Sequence, residues 1–146
     1  MEATRGSRAG GEGVAGIGRL LVYGVVAGVA AAVLNALVYL VASVLGAIPG
    51  SVEIPNSGGP LTLGAVVVFS FVPGVLAAGF LAALGRFTRR PVRIFVVVAA
   101  LVFVLSLYTP FTIPGAPLAM ILALELMHAV AAAVIVGVLV RLGRRG

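Results

Sequence analysis

The sequence predicts an all-α, polytopic membrane protein with four transmembrane helices and both termini in the cytoplasm. Three observations carry that expectation. First, 62% of the 146 residues are hydrophobic and only 10% are charged, with a mean hydropathy of +1.25. Soluble domains run at about 45–50% apolar and about 25% charged. A surface so poor in charge excludes a soluble globule, and so apolar a chain is not a disordered one. Second, the apolar residues fall in four long runs divided by prolines. Third, all ten cations are arginine, in three groups that flank those runs.

Taken in chain order, residues 1–18 read as a mobile cytosolic head, rich in Gly and with Arg5 and Arg8 set against Glu2 and Glu12. The rest, 19–146, reads as a single four-helix transmembrane domain. Within the head, Gly11-Glu12-Gly13-Val14-Ala15-Gly16 matches G-x-G-x-x-G, but a dinucleotide site needs a strand before it and a phosphate-facing helix after it. The four helices are expected at about 20–46, 61–85, 92–109 and 118–142. Each reaches the roughly 18–20 residues that cross a hydrocarbon core of about 30 Å, the third barely. No backbone group goes unpaired in lipid, so each run is a helix. Pro49, Pro55 and Pro60 end the first, Pro91 the second, and Pro110, Pro114 and Pro117 the third. The first run is too long for the 7–15-residue apolar stretch of a cleaved signal peptide.

Orientation follows from arginine. Arg5, Arg8 and Arg19 precede the first helix, Arg86, Arg89, Arg90 and Arg93 separate the second from the third, and Arg141, Arg144 and Arg145 close the chain. The loops at 47–60 and 110–117 hold no Lys or Arg, with Glu53 their only charge. The positive-inside rule places both termini in the cytoplasm of a cell whose plasma membrane the chain spans. The clusters also attract anionic headgroups, at roughly 1 kcal/mol per residue near the surface. They form no continuous basic face with interleaved aromatics, so nucleic acid is not an expected partner despite the net charge of +6. The bilayer is, and four small helices point to a homo-oligomer or a larger membrane assembly.

The stretches Asn35-Ala-Leu-Val-Tyr39-Leu, Pro60-Leu-Thr-Leu-Gly64 leading to Gly85-Arg-Phe-Thr-Arg-Arg-Pro91, and Met127-His128-Ala-Val-Ala-Ala resemble a group of small, uncharacterised four-helix bacterial membrane proteins known only as a domain of unknown function. The resemblance covers about residues 19–142. It implies the four-helix membrane fold and carries over no activity, substrate or catalytic residue.

Helical periodicity divides the first helix into two faces. Gly24, Gly28, Ala31, Ala32, Asn35, Tyr39, Ala42 and Gly46 fall on one, and Val22, Val26, Val33, Leu37, Leu40 and Val44 on the other. Gly24-x-x-x-Gly28 is the spacing that lets two helices approach closely in lipid. On the fourth helix, Ile121, Glu125, His128, Ala129, Ala132 and Val136 share a face, opposite Ala123, Met127, Val130, Val134 and Val138. Glu125 and His128, at i and i+3, are the one ionisable pair within the runs, and such groups face a bundle interior or wet cavity. At 1.5 Å per residue, Asn35, Ser70 and His128 lie about 14–16 Å in from the outer end, and Tyr39 and Glu125 about 10 Å. The expectation is a buried polar layer of Asn35, Tyr39, Ser70, Glu125 and His128. Pro73, mid-run, frees the Phe69 carbonyl and permits a kink.

These residues limit the chemistry. Without cysteine there are no disulfides, thiolate metal sites or thiol nucleophiles. Glu125-x-x-His128 is the ligand pair of di-iron bundles, but that centre needs further Glu from other helices, and the chain has four acidic residues in all. Ser70, His128 and Glu125 are the residue types of a hydrolytic triad, without an elbow motif to present the serine. No metal, cofactor or enzymatic role is therefore expected. The sequence leaves two functional classes: a structural, accessory or assembly protein with a sealed polar layer, or a small ion- or proton-coupled transporter or channel using Glu125 and His128.

Overall fold

The computed structural model describes residues 13–55 and 58–144. Four helices run through them: α1 (Ile17–Val44), α2 (Leu63–Phe87), α3 (Pro91–Ser106) and α4 (Leu118–Gly143). A short hairpin, β1 (Glu53–Ile54) and β2 (Gly59–Pro60), joins α1 to α2 and pairs Glu53 with Pro60. A 3-10 turn at Thr109–Thr112 extends α3. With that turn included, all four segments are long and apolar enough to cross a membrane.

The helix ends differ from the sequence expectation for local reasons. α1 stops at Val44 because Gly46 takes a left-handed φ of +72°. Its N–H bonds to Ser43 O and that of Ala47 to Ala42 O, at 3.0 and 2.8 Å. This paired closure satisfies carbonyls that would otherwise be orphaned. α2 starts at Leu63, because the Thr62 hydroxyl caps it by accepting from Ala65 N at 3.2 Å. Pro91 opens α3, where its missing N–H is not needed. The hairpin is an element that no strand-like pattern in 47–60 announced.

The N-terminal boundary also moves. Residues 1–12 of the expected head, and Arg145, lie outside the described residues. Within 13–18, however, the helix already starts at Ile17, and the segment before it is fastened. Ala15 N donates to Gly143 O at 2.8 Å, and Val14 bridges Arg144. The Val14 side chain fills the space beside Gly85, where a methyl group would overlap it. The start of α1 and the end of α4 thus meet at one end of the bundle.

α1 organises the bundle, burying Leu20, Gly24, Ala27, Gly28, Ala31, Ala32, Asn35 and Ala42 along one side. Its closest neighbour is α2. A Cβ on Gly24 would lie 2.5 Å from Ala78 Cβ and 2.7 Å from Gly74 O, and one on Gly28 would lie 2.6 Å from Phe71 O. Seen from the other side, a Cβ on Gly74 would lie 2.7 Å from Gly28 Cα. The two backbones therefore touch, which lipid-embedded helices use in place of a hydrophobic drive. The core lies toward the termini, where Leu20, Ala78, Leu81, Val92, Phe95, Ile135 and Leu139 pack together. α3 enters this core only through its first turns, burying Pro91, Val92 and Phe95, the last tilted against Phe80 at 6.3 Å. Beyond Phe95 it turns Val97, Leu101, Val102, Val104 and Leu105 outward.

This close contact makes a direct prediction. Gly24→Ile should lower the thermal unfolding midpoint in detergent, with a penalty of about 1–3 kcal/mol for overpacking. Gly137→Ala, mid-α4 where an added Cβ meets nothing within 4 Å, should leave stability undiminished or raise it by up to about 1 kcal/mol, because glycine costs a helix interior conformational entropy.

Candidate functional site: a polar node joining three helices

Asn35 and Ser70 are buried polar residues, 2% and 4% exposed. The Gly24–Gly28–Gly74 crossing brings α1 and α2 together just beside them, on the side away from the α1–α2 loop. Asn35 Nδ2 donates to Ser70 Oγ at 2.9 Å and to the Met127 carbonyl of α4 at 3.0 Å. Because a backbone carbonyl only accepts, the second contact fixes which end of the amide faces α4. The Met127 oxygen has a second lone pair for its own helix. One side chain thereby ties three helices. Asn35 Oδ1 is buried with no partner.

The other expected members of the layer are placed differently. Tyr39 is half-buried and donates its hydroxyl to Leu61 O at 3.2 Å, holding the start of α2 against α1. His128, half-buried, uses Nδ1 to reach Leu124 O of its own helix at 2.7 Å, so Nδ1 carries the proton there. Glu125 Oε1 is buried and has no hydrogen-bond partner. The structure therefore joins Asn35 to Ser70 directly, and Asn35 to the residue preceding His128. It forms no Glu125–His128 hydrogen bond.

α4 turns a different side to its neighbours than its polar residues suggested. Met120, Met127, Ile135, Leu139 and Gly143 are its buried residues, while Glu125, His128 and Ala132 are half-buried. The sequence put Met127 opposite the polar face. A backbone acceptor has no sequence signature, so the Met127 carbonyl was not foreseen. Among the described residues no three His, Asp or Glu side chains gather in a metal-binding group.

Four apolar helices of membrane-spanning length around a buried side-chain-to-backbone node are the features of a small multi-pass membrane protein. The chain matches the family of unknown function DUF6069 over residues 16–145, most of its length, and belongs to that family. No curated protein and no solved structure matches it.

Replacing Asn35 with Leu should destabilise the protein by about 1–2 kcal/mol, since polar contacts between membrane helices average about 0.6 kcal/mol and reach about 1.7. A double-mutant cycle of Asn35→Ala with Ser70→Ala should return a coupling of about 0.5–1.5 kcal/mol in thermal or denaturant unfolding. A coupling of zero would mean that the 2.9 Å contact does not hold α1 to α2.

Proposed function

We propose that the protein is a structural or accessory membrane subunit whose polar node aligns and seals its helices. The supporting observation is the buried Asn35 amide, whose nitrogen is engaged by both Ser70 Oγ and the Met127 carbonyl. A group so engaged stabilises one arrangement of helices and has no hydrogen left to offer a passing solute. The setting we propose is the plasma membrane with both termini cytoplasmic. The arginines at 86, 89, 90, 93, 141, 144 and 145 support that orientation under the positive-inside rule. The helix-packing roles proposed are those of Gly24 and Gly28 within the bundle and of Ala132 on α4. A second copy or another membrane protein is the proposed partner. The outward apolar side of α3 beyond Phe95 supports this reading, since little of the chain itself covers it.

One observation favours a second reading. Glu125 Oε1 is buried without a partner, and His128 follows one turn on. A half-buried carboxyl and imidazole in a membrane helix are the groups that proton- or ion-coupled transport uses.

Cysteine accessibility separates the two readings cleanly, because the natural chain has no cysteine. Single Cys substitutions at Asn35, Ser70, Glu125 and His128 are probed in intact cells with a membrane-impermeant thiol reagent, with exposed Ser51→Cys as the reactive control. The structural reading expects no labelling at the four positions and full labelling at the control. Labelling at two or more of the four would replace it with transport, and Glu125→Gln should then abolish flux while leaving expression unchanged. Arg89→Cys should stay unlabelled until the cells are made permeable; labelling in intact cells would reverse the proposed orientation.

A further inference from the structure

At the end of the bundle where the start of α1 meets the end of α4, α1 begins without a side-chain cap. Gly16 occupies the N-cap position and no acidic residue stands in the first turn. The amides of that turn have no intrahelical acceptor, and the end of a 28-residue helix carries partial positive charge. Beside it lies an open cavity of about 880 Å³, lined by Gly16, Ile17, Arg19, Tyr23, Leu142 and Arg144 among others. Two arginines, one in the first turn of α1 and one just past α4, thus line one cavity with the helix start, and among the described residues no carboxylate lines it. Tyr23 lies one turn deeper than Arg19 on the same side of α1, at the i, i+4 spacing.

The two arginines explain an anion, and the remaining lining explains what carries it. Ile17 and Leu142 are 67% and 49% exposed, so apolar side chains border the charged cavity. A free inorganic anion gains nothing from them, whereas a phospholipid sets its phosphate among arginines and its glycerol and upper acyl chain against just such side chains. The cavity lies at the ends of two helices of membrane-spanning length, the part of such a helix that meets headgroups when it spans a bilayer. We propose that this cavity is a binding site for the phosphodiester headgroup of an anionic phospholipid. Arg19 and Arg144 contact the phosphate, the first-turn amides of α1 add donors, and Tyr23 borders the glycerol region. This goes beyond the diffuse attraction of a basic surface, because it assigns the contact to one pair of arginines among several exposed groups.

The test uses the full chain in mild detergent, titrated separately with phosphatidylglycerol, phosphatidylcholine and inorganic phosphate, with bound species read by native mass spectrometry. The natural protein should prefer phosphatidylglycerol over phosphatidylcholine by about tenfold or more. Arg19→Gln combined with Arg144→Gln should erase that preference. Arg89→Gln combined with Arg90→Gln, which removes the same charge between α2 and α3, should keep it. Equal loss in both double variants, or no loss in the first, would overturn the site. Inorganic phosphate competing at the same concentration as the lipid would overturn the lipid as its ligand. A measurement on the natural chain needs no variant to fold. Photoactivatable phosphatidylglycerol in vesicles should crosslink to residues 16–23 and 141–144, and crosslinks confined to 86–93 would overturn the proposal.

Discussion

The structure depends on the backbone contact between α1 and α2. Gly24 and Gly28 on one helix and Gly74 on the other leave no room for a methyl group between them. In lipid, burying apolar surface gives helices no reason to associate, so contact of this closeness is what holds them together. It also sets a register. Asn35 lies two turns beyond Gly28, and Ser70 one turn before Gly74, both toward the α1–α2 loop, so the crossing carries the two polar side chains to a 2.9 Å contact. Were the helices separated by the width of one side chain, the amide would be buried without that acceptor, at a cost no neighbouring lipid could relieve. The glycines are therefore the condition on which the polar node exists.

Much of this architecture is readable from the sequence, and the parts that are not share a cause. Helix number follows from run length and proline position, since hydrocarbon admits no other backbone solution for such runs. The buried side of α1 is likewise written in its small residues, from Gly24 through Gly28 and Ala31 to Asn35. Helix ends are harder, because Gly46 and Thr62 act through local hydrogen bonds that hydropathy does not register. What the sequence conceals is backbone chemistry. Asn35 reaches the carbonyl of Met127, and Ala15 reaches that of Gly143. Any residue could supply those oxygens, so no residue type marks them. The polar side chains drew attention to Glu125 and His128 as a pair, yet His128 turns to its own helix instead.

The bundle is uneven along its length. Toward the termini, large apolar side chains from all four helices interlock around Leu81 and Leu139. Toward the opposite end α3 leaves most of its side chains exposed, and besides buried apolar residues such as Pro110 and Met120 the ties run through hydroxyls and amides: Tyr39 to Leu61, and Asn35 to Ser70 and Met127. These two kinds of cohesion respond differently to change. Dispersion among many atoms tolerates small shifts, whereas a hydrogen bond in a low-dielectric interior has one good geometry and a steep loss away from it. The polar half thus reinforces the register that the glycine crossing sets, and the apolar half adds bulk cohesion.

The separation of Asn35 from its two acceptors has a consequence for biogenesis. Ser70 lies 35 residues downstream and Met127 lies 92 residues downstream. At synthesis rates of about 5–20 residues per second, α1 exists for roughly 5–20 seconds before its last acceptor has been made. During that interval the pair α1 and α2 leaves one Asn35 N–H without the acceptor that α4 supplies. The nascent protein thus carries an internal marker of incompleteness, one that disappears only when the final helix takes its place.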